Sequence, residues 1–390
     1  MSKTVARTLP TRTAVSALAA VVAGLALGAP VSSADTVDGS VVESPPAART
    51  AALQRGLDKL VEDGAPGALL YTYDRGKVRV LHSGVANVAA GTPIRANSRF
   101  RIGSETKSYV STLVLKLVAQ HRLKLTDPVG RYLPRLVAEK PRITIGQLLN
   151  HTSGVYEFND DPRVLAPYLA GHLGHVWTPR QLVRIAMSHP LVAPPGTAFH
   201  YSNANYVLAG LIVRAVTGDS LAHQLRTRLF RPADLDATTF TNSRRLPAPA
   251  VHGYFSFDGD HLSDITSLYP YPWASGAAVA TVSDVARFYR NLLSGRFLPP
   301  RLMVAMKTTV DSSAEQGPGT AYGLGLQSFT TPCGRAWGHG GNFPGYLVYA
   351  YSTPSGSRQT VLMLNADPQS LPQVVETDYF GLLNDAHCGS

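Results

Sequence analysis

A serine and a lysine three residues apart provide the first candidate chemistry in this chain of 390 residues. Ser104 and Lys107 lie where an apolar run passes into a segment with helical periodicity that continues to about Gln120. On a helix, residues three apart share one face, with their Cβ atoms about 5 to 6 Å apart. Lys107 could then accept the Ser104 proton, and the unpaired N–H groups at the helix start favour an oxyanion there. The alternative interpretation is a helix N-cap followed by a surface lysine.

A second segment carries polar side chains that could complete such a site. Tyr201 and Asn203 come just before an apolar helix predicted to begin near Ala204, so both side chains could project into a cleft. Tyr289 and Asn291 have the same spacing, but they lie inside an amphipathic helix, where Tyr289 would be packed. We therefore favour the first pair.

The third segment joins a histidine to glycines at the end of a predicted strand. His339, Gly341 and Asn342 lie there, and the glycines would let a substrate backbone approach closely. The same His-x-Gly spacing recurs at three other positions, His82, His172 and His387. Only His339 comes on a strand after both of the other motifs.

The elements that position these residues follow from apolar periodicity and from capping residues. Helices are predicted over 48–62, 104–120, 144–150, 178–187, 204–216, 283–294 and 371–386, and strands over 68–73, 78–81, 98–102, 334–338, 345–351 and 359–364. Pairing the first and last strands gives one antiparallel sheet flanked by the terminal helices, an α/β fold of the α+β type. This lobe comprises 48–103 and 282–387, and a mostly helical lobe comprises 104–281. A site is expected in the cleft between the lobes.

The N-terminal residues have the pattern of a secretory signal. Three basic residues and no acid precede an apolar run over 14–29 that is short for a membrane span, and small residues lead to a cleavage site after Ala34. We expect a signal peptide over 1–34, a tether over 35–47, and a secreted, extracellular or wall-associated protein. The alternative is an uncleaved membrane anchor. No later segment is predicted to cross a bilayer.

Charge and cysteine content exclude some classes of function. Cleavage after Ala34 lowers the net charge from +10 to +7, and the arginines form no basic run, so a nucleic-acid groove is not expected. Cys333 and Cys388 favour a disulfide in an exported chain, with two separate buried thiols as the alternative. Two cysteines without clustered histidines do not make a zinc site. We expect no cofactor.

In order and spacing, Ser104-x-x-Lys107, Tyr201-x-Asn203 and His339-x-Gly341 resemble the three signature motifs of the serine penicillin-recognising family. The likeness is to the branch containing D-alanyl-D-alanine carboxypeptidases, class C beta-lactamases, esterases and D-aminopeptidases. It covers about 48–387 and is closest to secreted actinobacterial carboxypeptidases of peptidase family S12, which use histidine in the third motif. The resemblance implies a beta-lactamase/transpeptidase-like fold.

The resemblance also implies a role for each residue of the first two motifs. Ser104 would attack a carbonyl and form an acyl-enzyme, and Lys107 would accept its proton. Tyr201 would pass that proton to the leaving amine and later help to activate water. Asn203 would hold the amide on the acyl side of the substrate.

For the third motif, the resemblance implies that the N–H groups of Ser104 and Asn342 form an oxyanion hole. His339 would polarise the site and help to bind a substrate carboxylate, an effect that fades through neutral pH at an ordinary histidine pKa of about 6.5. Gly341 would allow close approach of the substrate. The related carboxypeptidases carry carboxylate-binding hydroxyl residues at the places of Gly340 and Asn342, and both hydroxyls are missing here.

The function predicted first is a D-alanyl-D-alanine carboxypeptidase acting on peptidoglycan stem peptides, with beta-lactams as covalent ligands and a monomer as the expected state. An esterase or D-aminopeptidase acting on other small acyl substrates, and a class C-like beta-lactamase, are alternatives with the same machinery. A wall-binding module without catalysis is the alternative from another class.

Overall fold

A computed structural model describes residues 46–137 and 142–389. The predicted signal peptide lies outside the described residues, and so does the predicted tether up to residue 45. The first described helix begins at Pro46, so Pro46 and Ala47 of the predicted tether are helical. Within the described ranges, no helix combines the length and the apolar character needed to cross a bilayer.

The described residues form short and medium helices around one large sheet. The α-helices are α1 Pro46–Glu62, α2 Thr106–Ala119, α3 Pro134–Val137, α4 Ile145–Leu149, α5 Pro162–Leu169, α6 Pro179–Met187, α7 Asn203–Thr217, α8 Leu221–Leu225, α9 Val282–Leu293, α10 Pro300–Lys307, α11 Ser313–Gln316 and α12 Gln373–Cys388. The strands are β1 Gly67–Asp74, β2 Lys77–Asn87, β3 Thr92–Pro93, β4 Phe100–Arg101, β5 Thr239–Phe240, β6 Tyr254–Ser256, β7 Leu262–Asp264, β8 Ala278–Ala280, β9 Val310–Asp311, β10 Thr320–Tyr322, β11 Gln327–Thr331, β12 Gly334–Phe343, β13 Tyr346–Ser352 and β14 Arg358–Leu364.

The large sheet has nine strands in the order β3-β2-β1-β14-β13-β12-β11-β10-β9. Strand β1 pairs antiparallel with both β2 and β14, and Leu70 lies opposite Leu362. The predicted pairing of the first and last strands in one antiparallel sheet is therefore confirmed, as is the predicted fold class.

Successive side chains along each strand point to opposite faces of the sheet, so the core has two layers, one on each face. Leu70 of β1 and Leu362 of β14 pack with Leu57 of α1 and Tyr379 of α12. Their neighbours in sequence, such as Leu69, point to the opposite face and join the larger cluster that includes α2 and α9. This follows from the two-residue period of a strand. The terminal helices thus cover one face, and the other face supports the elements of the cleft.

Several observed elements differ from the predicted ones, and three of the differences concern the segments around the cleft. The strand predicted over 98–102 is reduced to β4, which pairs with β8 in a separate three-stranded sheet. The segment 104–281 contains β5–β8 as well as helices. Strand β12 continues five residues beyond Gly338, so His339 lies inside the strand rather than at its end.

Helix α2 is the central element of the cleft because it is buried on every side along most of its length. Lys107, Tyr109 and Leu113 have no exposed surface, and the Tyr109 ring stacks on Phe288 of α9 with centroids 3.8 Å apart. A helix surrounded in this way is held by tertiary packing rather than by intrinsic propensity. A disulfide between Cys333 and Cys388 ties the end of α12 to the start of β12, which confirms the predicted bond.

Candidate active site

A tight turn places Ser104 at the entrance to α2. Residues 103–105 form one 3₁₀ turn before the helix, and Gly103 has φ +48°, in the left-handed region that favours glycine. A Cβ at position 103 would also lie 2.4 Å from the backbone oxygen of Asn342. Only glycine therefore allows the turn to sit directly against β12.

The Lys107 ammonium nitrogen is buried at the floor of this turn. Its Nζ lies 2.7 Å from Ser104 Oγ, 2.8 Å from Asn203 Oδ1 and 2.9 Å from the backbone oxygen of Ser275. A neutral amine has two hydrogens and one lone pair. If the two hydrogens are donated to Asn203 and Ser275, the lone pair points at the Ser104 hydroxyl, as a base requires.

Burial lowers the pKa of Lys107 to about 7, although the carboxylate of Glu157 acts in the opposite direction. A large fraction of the lysine is therefore neutral at physiological pH, which an exposed lysine would not be. The turn thus contains a serine and a base within hydrogen-bonding distance, the arrangement of an activated nucleophile.

Tyr201 completes the contact network around the serine from the opposite side of the cleft. Its hydroxyl hydrogen-bonds with Ser104, and burial raises its pKa well above the ordinary value. Tyr201 is therefore a neutral phenol that can relay a proton. Its ring stacks on His151 with centroids 4.3 Å apart, and the Nδ1 of His151 accepts the N–H of Ser202 at 3.1 Å. This histidine fixes the loop that carries Tyr201.

Asn203, the first residue of α7, connects Lys107 to a buried acid. Its side-chain oxygen faces Lys107, and its Nδ2 donates to Glu157 Oε1 at 3.1 Å. The backbone N–H of Asn203 donates to the other Glu157 oxygen. Burial raises the pKa of Glu157. The two hydrogen bonds that Asn203 donates to Glu157 fix the orientation of the Asn203 amide.

The strand geometry brings two backbone donors toward the serine. The N–H of Gly340 donates to Gln327 Oε1 at 2.6 Å, so it points away from β13. Because N–H directions alternate along a strand, the N–H of Asn342 points to the same side. The Ser104 N–H lies in the first turn of its helix, where no intrahelical acceptor exists. The two amides predicted for an oxyanion hole therefore lie on segments that touch at Gly103.

His339 lies in the cleft, but its environment differs from the predicted one. Its Nε2 lies 2.8 Å from the Tyr322 hydroxyl and its Nδ1 lies 2.5 Å from the backbone oxygen of Gly340. Burial, together with the positive charge of Lys107, lowers its pKa to about 3. His339 is thus neutral at pH 7 with both ring nitrogens engaged, so it adds no positive charge to the free cleft at that pH, and its part in binding a substrate carboxylate stays a prediction.

Residues 340 and 342, where the related carboxypeptidases carry hydroxyls, have distinctive surroundings. A Cβ on Gly340 would lie 2.6 Å from the ring of Tyr349, which itself packs on Phe380. The side chain of Asn342 lies against the buried carboxyl of Asp367, whose pKa burial raises to about 6. Asp367 is therefore mostly ionised at pH 7. A substrate carboxylate placed here would meet a negative charge.

The cleft itself has a volume of about 360 Å³. Its walls include Ser104, Tyr201, Asn203, His339, Gly341 and Asn342, so six of the seven predicted site residues line it, with Lys107 directly beneath. Four acidic side chains also line it, Glu157, Asp160, Glu315 and Asp367, and the described lining contains no arginine or lysine. The cleft is thus acidic although the chain carries a net charge of +10.

The acidic rim of the cleft has one partial counterion. Glu315 Oε2 accepts the backbone N–H of Tyr201 at 2.9 Å, and Glu315 Oε1 lies 3.3 Å from His200 Nδ1. The hydrogen bond to Glu315 raises the pKa of His200. Asp160 lies close to this pair, and burial raises the pKa of Asp160. The rim therefore has carboxylates in excess of cations.

Sequence reasoning missed the acidic residues of the cleft. Glu157 follows the His151-Thr-Ser-Gly154 turn by three residues, and that proximity is the only signal that pointed to it. Asp160 and Asp367 lie in loops without periodicity, and nothing in the sequence assigns them to the cleft. The alternatives to the chosen motifs lie elsewhere: Tyr289, His82, His172 and His387 are not among the residues that line it.

Comparison with known proteins gives a consistent family. The sequence profile of the beta-lactamase family matches residues 50–379. Penicillin-binding protein 4 of Amycolatopsis lactamdurans is 29% identical over 328 residues, which cover 78% of this chain and 82% of that protein.

Two solved structures are also similar. A D-stereospecific amidohydrolase from Streptomyces sp. has a TM-score of 0.76 at 35% identity, covering 85% of this chain and 98% of that one. The D-amino acid amidase of Ochrobactrum anthropi SV3, complexed with D-phenylalanine, has a TM-score of 0.76 at 25% identity, covering 87% and 98%.

Proposed function

The chain belongs to the beta-lactamase family, and we propose that it hydrolyses amides of D-amino acids whose α-ammonium group is free. It is a serine hydrolase of that family. The observation that carries the proposal is the charge of the cleft, which has four lining carboxyl groups and, among the described residues, no lining arginine or lysine. Carboxylates in a partly desolvated cleft favour a cationic substrate group. The D configuration is supported by the similarity to the Streptomyces and Ochrobactrum enzymes.

In the proposed reaction, neutral Lys107 takes the proton of Ser104 as Oγ attacks the carbonyl carbon. The N–H groups of Ser104 and Asn342 stabilise the oxyanion, an interaction usually worth about 3 to 4 kcal/mol for each donor. The proton passes through Tyr201 to the leaving nitrogen, the C–N bond breaks, and an acyl-enzyme remains. Water then adds to the ester with proton transfer back through the same groups, and the D-amino acid and Ser104 are released.

The ammonium group of the substrate is assigned to the acidic side of the cleft. Glu157 already receives two hydrogen bonds from Asn203, whereas Asp160 lines the cleft close to Glu315 and His200. Asp160 is therefore the carboxylate we assign to the ammonium group. Asp160 is exposed to solvent, and exposed ion pairs contribute about 0.2 to 1 kcal/mol, so losing this one weakens binding up to about fivefold.

The D-alanyl-D-alanine carboxypeptidase predicted from the motifs is the second candidate. It is supported by the similarity to penicillin-binding protein 4. We rank it second because Asp367 lies beside Asn342, where a terminal carboxylate would have to bind. We also propose that the protein acts outside the cytoplasm, which the Cys333–Cys388 disulfide supports. The monomeric state and the peptidoglycan-derived substrate stay predictions.

The test is a substrate panel on the purified protein. D-phenylalanine amide and D-alanine amide should release ammonia, and their L-isomers and N-acetylated forms should react at least about tenfold more slowly, since they lack the configuration or the ammonium group. Asp160→Asn should raise KM for the free amides only. Asp260→Asn removes the same charge on an exposed hairpin outside the cleft lining and is the matched control.

Other results would select another function. Faster release of D-alanine from an N-acylated D-Ala-D-Ala peptide would establish the carboxypeptidase, and rapid cephalosporin turnover would establish a beta-lactamase. A folded protein that turns over nothing and is not labelled at Ser104 by fluorescent penicillin would point to the wall-binding module.

A further inference from the structure

A buried acid next to the nucleophile has no role in the mechanism above. Glu105 follows Ser104 directly, and its side chain has no exposed surface. Its carboxyl oxygen Oε2 contacts the hydroxyl of Tyr289, which is also fully buried. Tyr289 and Asn291 have the same Tyr-x-Asn spacing as Tyr201 and Asn203. The Tyr289 hydroxyl thus makes a polar contact with the residue that directly follows Ser104.

The hydrogen atoms of this cluster can be counted. Ser108 Oγ donates to the backbone oxygen of Gly325 at 2.7 Å, so its only proton is used there. Ser108 Oγ also lies 3.0 Å from the Tyr289 hydroxyl, which must be the donor in that contact. Tyr289 has one proton and two acceptors within reach, Ser108 Oγ and Glu105 Oε2. With that proton donated to Ser108, the contact between Tyr289 and Glu105 requires a proton on Glu105.

We propose that Glu105 is a positioning residue that acts as a neutral acid, and that its proton, donated to Tyr289, locks the turn carrying Ser104 onto α9. The same side chain supports β12, because a Cβ on Gly341 would lie 3.0 Å from Glu105 Cγ. Glu105 thereby touches the two segments whose N–H groups face the oxyanion. Loss of its hydrogen bond would let those donors separate.

The surroundings of Glu105 agree with a neutral carboxyl. Burial raises the pKa of Glu105 well above its ordinary value. The titratable groups that face it from other elements are phenols, and burial raises the pKa of each, so they stay neutral: Tyr109 of α2, Tyr289 of α9, Tyr349 of β13 and Tyr379 of α12. Lys107, on its own segment, is directed at Ser104 and Asn203. No cation therefore faces the carboxyl from these elements.

The proposal rests on Ser104 as the nucleophile, and the test separates the two. Glu105→Gln stays neutral and can still donate to Tyr289, whereas Glu105→Leu keeps the bulk and removes the hydrogen bond. With p-nitrophenyl acetate as substrate, the Glu105→Gln variant should keep kcat within about threefold of wild type. The Glu105→Leu variant should lower kcat about 10- to 100-fold at unchanged KM, because small displacements of reacting groups have effects of that size. The Tyr289→Phe variant should lower kcat as the Glu105→Leu variant does, because it also removes the hydrogen bond.

A second readout needs no activity. A carboxyl whose folded-state pKa is raised stabilises the protein below its unfolded pKa, and that contribution is lost as pH rises through the folded pKa. The melting temperature of Glu105→Gln should therefore rise relative to wild type between pH 5 and about pH 9.

Three results would overturn the proposal. One is loss of activity in the Gln variant as severe as in the Leu variant. Another is wild type gaining stability over Gln at high pH, which would make Glu105 an anion. The third is full kcat in a folded Leu variant. Ser104→Ala separates the two assignments. If this variant kept full activity while the pH-dependent stability behaved as expected, Ser104 would not be the nucleophile, but Glu105 would still be a neutral acid.

Discussion

Replacing Glu157 with glutamine tests whether Lys107 is the base. In the wild type, kcat/KM should rise with pH as Lys107 loses its proton, with a midpoint at about 7. The Glu157 carboxylate raises this pKa through space, while burial lowers it. Removing the carboxylate should therefore move the midpoint to lower pH.

The size of the change follows from the chain of contacts. Asn203 lies between the two groups, 2.8 Å from Lys107 Nζ and 3.1 Å from Glu157 Oε1. The charges are then about 7 Å apart, and at an effective dielectric constant of about 20 their attraction is about 2 kcal/mol. That energy corresponds to lowering the Lys107 pKa by about 1 to 2. The kinetic midpoint should fall to between about 5 and 6.

The assay is hydrolysis of p-nitrophenyl acetate, followed at the isosbestic wavelength of nitrophenol between pH 4.5 and about 9, a range that spans the midpoints expected for both proteins. This ester has no ammonium group, so altered substrate binding at the acidic wall does not enter. Glu315→Gln is the control, because it removes a lining carboxylate that is not among the groups acting on Lys107. Its midpoint should stay where the wild type has it. An unchanged or higher midpoint in Glu157→Gln would refute the assignment of Lys107 as a base tuned by Glu157.

Two further predictions concern His339 and the disulfide. In histidine NMR spectra, the His339 ring should not titrate between pH 5 and 8, because burial lowers its pKa to about 3; a His339 midpoint near neutral would support its role as a carboxylate-binding cation. Replacing Cys333 and Cys388 with alanine should lower the free energy of unfolding by about 4 kcal/mol for a loop of 55 residues, with kcat at 25 °C unchanged, since neither residue lines the cleft. Denaturant curves that coincide with and without the bond would contradict this second expectation.

Elements that are defined by a local sequence pattern were predicted well from the sequence. Helix α6 begins and ends where its Thr178-Pro179 start and apolar spacing indicated, because the capping box at Thr178 is a local interaction. The predicted partners of Ser104 also lie together in the cleft. Their assignment depended on the order of three motifs rather than on any distance that the sequence contains.

What the sequence could not predict arises from contacts between distant segments. The charge state of His339 depends on its burial and on Lys107, neither of which a pattern of glycines reveals. The acidic lining comes from loops around Glu157, Asp160 and Asp367, whose side chains meet only after folding. The substrate preference that we propose therefore depends on residues that lie outside the sequence motifs.

The contact between Gly340 and Tyr349 has a consequence for how this scaffold can change. A hydroxyl residue at position 340 would first have to displace an aromatic ring that lies 2.6 Å from the new carbon and is wedged against Phe380. A hydroxyl residue at position 340 therefore requires the Tyr349 ring to move or to be replaced by a smaller side chain. For protein engineers, positions 340 and 349 form a pair that is best varied together.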